Sequence, residues 1–181
     1  DLETFLTPAR ASRDHAIELL KSEPETYRVI NMGWGLFEMS WSLRGMENIL
    51  MDFACEHEFL EELLDKLTEL MLGFVDFWAD VPADAIFYGD DWGGQRGVLM
   101  GPERWRKFLK PCWEKIYART HAQGKTVISH CCGSVDAILD DAIEIGLDVL
   151  QSVQPEPAGM DPYSLKERFG DRITFWGCLG S

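Results

Sequence analysis

The chain has 181 residues, 46% of them hydrophobic, and a formal net charge of −14. That length and composition suit one globular domain or part of a larger one, with no disordered or low-complexity stretch. Acidic residues spread along the whole sequence repel phosphate backbones, which argues against nucleic acid as a partner, and no apolar run approaches the roughly 20 residues of a membrane span.

The opening Asp1-Leu2-Glu3 lacks the basic start and apolar stretch of a secretory signal. Five cysteines, Cys55, Cys112, Cys131, Cys132 and Cys178, form an odd and irregular set rather than a disulfide framework. Reduced thiols and a cytoplasmic location are therefore expected.

In chain order, Pro8 to Leu20 reads as a helix and Thr26 to Met32 as a short β run leading into Gly33-Trp34-Gly35. Helical periodicity then runs from Glu47 to Asp80 through Leu60, Leu63, Leu64, Leu67, Leu70, Met71 and Phe74, with a break near Cys55 to Glu58. Pro82 closes it. Asp84 to Tyr88 is the next strand, followed by the loop Gly89-Asp90-Asp91-Trp92-Gly93-Gly94. Pro102 starts a helix to about His121, with Gly124 as terminator. Thr126 to His130 is a strand, Val135 to Ile145 a helix, Asp148 to Val153 a strand, Tyr163 to Phe169 a helix, and Ile173 to Gly177 the last strand.

Strands alternating with helices imply parallel βαβ units, in a barrel or in an open doubly wound sheet. Neither a GxGxxG nor a P-loop follows any strand, so a nucleotide-binding open sheet has no support. Polar, glycine-rich sequence follows one strand end after another (GDDWGG, HCCGS, QPEPAG, CLGS). In a barrel those ends converge on one rim, where active sites are built. The expected fold is thus an α/β, (β/α)₈ TIM barrel. Five strands are legible where a closed barrel needs eight, so the chain is read as part of such a barrel.

The sharpest local feature is Ile128-Ser129-His130-Cys131-Cys132-Gly133-Ser134. Side chains alternate along a strand, so His130 and Cys132 point to one side and Cys131 to the other. Imidazole and thiolate both bind zinc, and a catalytic zinc site usually has three protein ligands and one open position. Cys178, just past another strand, is a candidate third ligand; a residue beyond Ser181 is the alternative. Asp90 and Asp91 are candidate catalytic residues: ligands, partners of ligands, or acid–base groups. The plainer readings are a buried small Cys, a structural His, and loop or helix-capping roles for the two aspartates. Cys55 and Cys112 read as packing residues. Trp92 and Trp176 lie where they could wall a pocket.

The segments GDDWGGQRGVLMGPERWRKFLKPCWEKIY, HCCGSV and GLDVLQSVQPEPAGMDPYSLKERFGDRITFWG resemble the uroporphyrinogen decarboxylase superfamily in order and spacing. FEMSWSLRGMENILMDF is similar to the family's helical region. The likeness covers nearly the whole chain, and is strongest from Asp84 to Gly177, implying that residues 1–181 are part of one such barrel domain. One branch of the superfamily decarboxylates uroporphyrinogen, in porphyrin (haem) biosynthesis, without metal or cofactor. The other comprises zinc-dependent methyltransferases that move methyl groups between a corrinoid (cobalamin) and a thiol. The second carries a His-x-Cys pair, matched here by His130 and Cys132, and a further Cys later in the chain. The decarboxylase pattern departs at that strand and at Gly177-Cys178-Leu179-Gly180-Ser181.

The resemblance therefore implies zinc-dependent methyl transfer, with zinc as cofactor and a corrinoid protein and a small thiol as partners. Trp92 and Gln154 are then expected at the rim as substrate-binding residues. Uroporphyrinogen decarboxylation and a non-catalytic barrel that binds a corrinoid or tetrapyrrole are the alternatives. Family members are often homodimers, a state that nothing in these residues decides.

Overall fold

The computed structural model describes residues 13–22 and 25–180. Residues 13–22 are helical; the beginning of the helix expected over Pro8 to Leu20 lies outside the described residues. Strand β1 (Val29–Trp34) comes next, then helices α1 (Leu36–Arg44), α2 (Met46–Cys55) and α3 (Glu58–Phe77). The break expected near Cys55 to Glu58 falls between α2 and α3, where Glu56 is left-handed and the His57 ring caps α3 by accepting from the Phe59 N–H.

Strand β2 (Ala85–Gly89) leads into a short antiparallel ribbon, β3 (Gly93–Gly94) and β4 (Gly97–Val98), inside the loop that the sequence left irregular. The helix expected from Pro102 to about His121 is present but not uniform. A first turn, α4 (Pro102–Arg104), passes through a π-helical segment, Trp105–Leu109, into α5 (Lys110–Ala122). Pro111 supplies the reason: it has no N–H for the carbonyl four residues back, and its ring crowds that carbonyl. Widening the preceding turn, with the Lys110 N–H reaching back to the Trp105 carbonyl, accommodates the ring. Strand β5 (Thr126–His130), helix α6 (Leu139–Glu144, after a 3₁₀ turn at Asp136–Ile138), β6 (Val149–Val153), α7 (Pro162–Phe169) and β7 (Thr174–Gly177) complete the chain.

Five strands form one parallel sheet in the order β1-β2-β5-β6-β7. Each connection moves one place in the same direction, whereas a doubly wound sheet reverses at a switch point. The order is that of a barrel wall. The core lies between the outer face of this sheet and the helices. Ile86 and Tyr88 of β2 and Val127 of β5 are wholly buried there, against Leu60, Leu64, Met71 and Val75 of α3 and Trp113, Ile116 and Tyr117 of α5. With Leu67, the buried apolar positions on α3 recur three or four residues apart, the stripe a helix needs to cover a sheet. The inner face carries Phe87, His130, Gln151 and Trp176, which are less covered. Every loop following a strand emerges on the same rim, and the N-terminal strand ends form the other.

Candidate metal centre

Strand β5 ends at His130, and the alternation read from the sequence holds through the next two residues. The Cys131 side chain turns into the core, is 1% exposed, and its sulfur accepts the Trp92 backbone N–H at 3.2 Å. His130 and Cys132 turn the other way and meet, with Nε2 to Sγ at 3.3 Å.

Asp91, from the loop after β2, completes the group. Strands β2 and β5 are neighbours in register, Gly89 beside His130, so the residues just beyond each strand share one patch of rim. Asp91 Oδ1 lies 3.4 Å from His130 Nε2 and accepts the Cys132 backbone N–H at 2.7 Å. One ligand atom from each of Asp91, His130 and Cys132 falls within 4.8 Å of the others, and all three residues are partly open to solvent. Burial pushes the Cys132 thiol up, and the Asp91 carboxylate pushes it the same way. Among the described residues, Asp91's one ion-pair partner is His130, so its carboxylate stands here without a Lys or Arg to balance it. Nitrogen, sulfur and oxygen donors converging on one point are the set that zinc takes, and the charge they lack is the charge a divalent cation brings.

Neighbouring elements hold this geometry. The imidazole Nδ1 hydrogen-bonds Gln151 Oε1 on β6, the residue paired with His130 in the sheet. Gln154 Oε1 accepts the Gly133 N–H at 3.0 Å, which fastens the turn after Cys132. The β3–β4 ribbon leans on the same turn: Ser134 N donates to the Gly94 carbonyl at 2.8 Å. A Cβ on Gly93 would come within 2.3 Å of the Cys132 carbonyl oxygen, and one on Gly133 within 2.6 Å of Gly93. Only glycines let the two backbones approach so closely.

Other residues singled out from the sequence are placed differently. Asp90 is wholly buried and turned away from the trio. Its carboxylate accepts N–H bonds from Phe37 (3.2 Å), Glu38 (2.9 Å) and the indoles of Trp92 (2.6 Å) and Trp113 (3.2 Å). It caps α1 from another element, because the N-cap position is Gly35, which has no side chain to do so. A Cβ there would meet the Gly89 carbonyl oxygen at 2.6 Å. Burial pushes Asp90 up to about 7, against the pull of its N–H donors.

Trp92 does not wall a pocket. Its indole is 1% exposed, wedged between Trp105 and Trp113, because its N–H is committed to Asp90. Cys178 is not in the trio: it packs partly buried against the core with a left-handed backbone, its N–H on the Val153 carbonyl, and Asp91 stands where it was expected as third donor. Gln154 supports the turn after Cys132 through its amide oxygen. Trp176 is half exposed on the inner face, edge-on to Phe87. Cys112 is buried, as expected of a packing residue, whereas Cys55, at the last turn of α2, is exposed and does not pack.

Sequence reading missed Glu38. It lies in the first turn of α1, its carboxylate raised first by burial and then by Asp91, lowered by His130 and by the Gly35 backbone N–H. That last contact is the return arm of a capping box, with Glu three residues after the N-cap, and was the one available signal.

A sequence profile of the family described as Uroporphyrinogen decarboxylase (URO-D) matches residues 15–179. The Methylcobamide:CoM methyltransferase MtaA of Methanosarcina barkeri is 29% identical over 143 residues, 79% of this chain and 37% of that protein. A uroporphyrinogen decarboxylase of Thermus thermophilus is 30% identical over 95 residues, 52% of this chain and 26% of that protein. The chain thus spans well under half the length of these relatives. A solved methyltransferase from Methanosarcina mazei matches with a TM-score of 0.63 at 19% identity, covering 91% of this chain and 57% of the other, a likeness of fold alone. Taken with the profile match, it identifies the five-stranded sheet as part of a (β/α)₈ barrel.

Proposed function

This chain belongs to the uroporphyrinogen decarboxylase family, and from that premise we propose that it is a zinc-dependent methyltransferase moving a methyl group between a protein-bound corrinoid and a small thiol. The observation that carries this reading is the meeting of Asp91, His130 and Cys132 ligand atoms within 4.8 Å on the rim where barrel enzymes build their sites. A methyltransferase among the sequence relatives supports it.

Asp91, His130 and Cys132 would hold the zinc and leave its fourth position to a substrate sulfur, where the ion would supply a Lewis acid that keeps a thiol ionised at neutral pH. The protein's own groups do the rest. Asp91 fixes the Cys132 backbone through its N–H, so the two ligands cannot drift apart. Gln154 and the Gly93–Gly133 contact hold the turn that carries Cys132. Glu38, whose carboxylate is raised first by burial and then by Asp91, would be the neighbouring group to take up the thiol's proton.

Uroporphyrinogen decarboxylation is the second reading, kept by the 30% identity to a decarboxylase. Metal content separates the two. The purified protein is expected to carry about one zinc per chain, lost in a His130→Ala, Cys132→Ser double variant together with methyl transfer from methylcobalamin to a thiol. A zinc-free wild type that releases CO₂ from uroporphyrinogen would overturn the methyltransferase reading.

A further inference from the structure

Strand β6 breaks its own alternation beside the site. Its pairing with β7 shifts register between Gln151 and Val153, and the residue between them, Ser152, has a left-handed backbone with φ of 68°. A side chain other than Gly or Asn rarely adopts that conformation, and where it persists the surroundings enforce it. The shift falls just past Gln151, which stays paired with His130 across the sheet. Gln151 Oε1 hydrogen-bonds His130 Nδ1, and His130 and Cys132 are themselves 3.3 Å apart.

An amide oxygen accepts and does not donate, so the Gln151 bond places the imidazole proton on Nδ1. Nε2 then presents its lone pair toward Cys132 Sγ and Asp91 Oδ1. Ligand histidines are commonly fixed by a partner on their second nitrogen, and loss of such partners typically weakens metal binding about 10- to 100-fold.

We propose that Gln151, at the last regular position of β6 before the bulge, is a positioning residue of the metal site: it sets the tautomer and ring orientation of His130. The assignment rests on the reading of Asp91, His130 and Cys132 as zinc ligands.

The test has two independent readouts. Long-range ¹H–¹⁵N NMR of the metal-free protein reports the His130 tautomer. It is expected to be Nδ1–H in wild type and in Gln151→Glu, which keeps an acceptor, and to shift toward Nε2–H in Gln151→Leu. Competition with a chromophoric chelator then reads zinc affinity, expected to fall about tenfold or more in Gln151→Leu and to recover in Gln151→Glu. An unchanged tautomer in Gln151→Leu, or a zinc affinity equal to wild type in Gln151→Leu, would overturn the proposal. Because the tautomer is read without metal, it tests Gln151 even if the wild type proves zinc-free and the methyltransferase reading fails.

Discussion

The carboxylates of Asp90 and Asp91 leave the backbone in opposite directions, and their surroundings give them different work. Asp90 is sealed in the core, where four N–H groups from α1 and two tryptophans converge on it. Truncating it leaves those donors buried without partners, each costing about 1–3 kcal/mol before relaxation. Asp91 is part exposed, accepts one backbone N–H, and faces His130. The two alanine variants should therefore separate cleanly. Asp90→Ala is expected to lose about 3 kcal/mol or more of stability in urea denaturation. Asp91→Ala should lose about 1 kcal/mol yet weaken zinc binding at least tenfold in a chelator competition. Equal stability losses in the two variants would contradict the division of roles.

Among the elements, the ribbon β3–β4 shows how closely the site depends on backbone contact. Gly93 lies against the Cys132 carbonyl, and a methyl group there would sit 2.3 Å from that oxygen, a backbone atom with no rotamer to escape through. Gly93→Ala is expected to push the Cys132 turn out of place, costing about 1–3 kcal/mol of stability and an order of magnitude in zinc affinity. Wild-type zinc affinity in a folded Gly93→Ala protein would show the ribbon to be incidental. Much of this architecture was legible in the residues. Strands β2, β5, β6 and β7 read to within a residue because each is a short, mostly apolar run bounded by glycine or polar sequence, whereas the first lies at Val29–Trp34 rather than Thr26 to Met32; the common side of His130 and Cys132 followed from strand alternation. Helix α1 was not derivable from periodicity. Leu36, Phe37, Met39, Trp41 and Leu43 leave no clean polar face, and its cap comes from Asp90, 52 or 53 residues further along the chain. Trp92 and Cys178 were misplaced for a similar reason: an indole committed to a buried carboxylate and a thiol on a left-handed turn depend on tertiary partners that no local pattern displays. The bulge at Ser152 is a property of the pairing of β6 with β7, not of its own sequence.

Across the whole molecule the two rims divide the labour. The C-terminal strand ends carry the candidate metal donors, while acidic side chains at the N-terminal ends lace the sheet together. Asp148 accepts the Val127 N–H and pairs with His121. Asp84 accepts the Arg28 backbone N–H at 2.8 Å and both guanidinium contacts at 3.0 and 2.9 Å, tying the start of β1 to β2 across 56 residues of chain. These Arg28 hydrogen bonds, side chain first and backbone second, hold the Asp84 carboxyl down to about 2. The folded value lies below the unfolded one, near 4, so the pair's stabilisation is complete above about pH 4 and is lost as pH falls through 2. Asp84 is about a third exposed, so solvent screens the pair and its worth is of the order of 1 kcal/mol. In urea denaturation, wild type is expected to exceed Asp84→Asn by a constant margin from pH 5 to 7, with the margin closing between pH 4 and 2. At pH 7 both proteins should bind zinc equally, because the substitution lies on the rim away from Asp91, His130 and Cys132. A margin independent of pH would mean that Asp84 acts through packing rather than charge. A loss of zinc at pH 7 would mean that strain at one rim reaches the other.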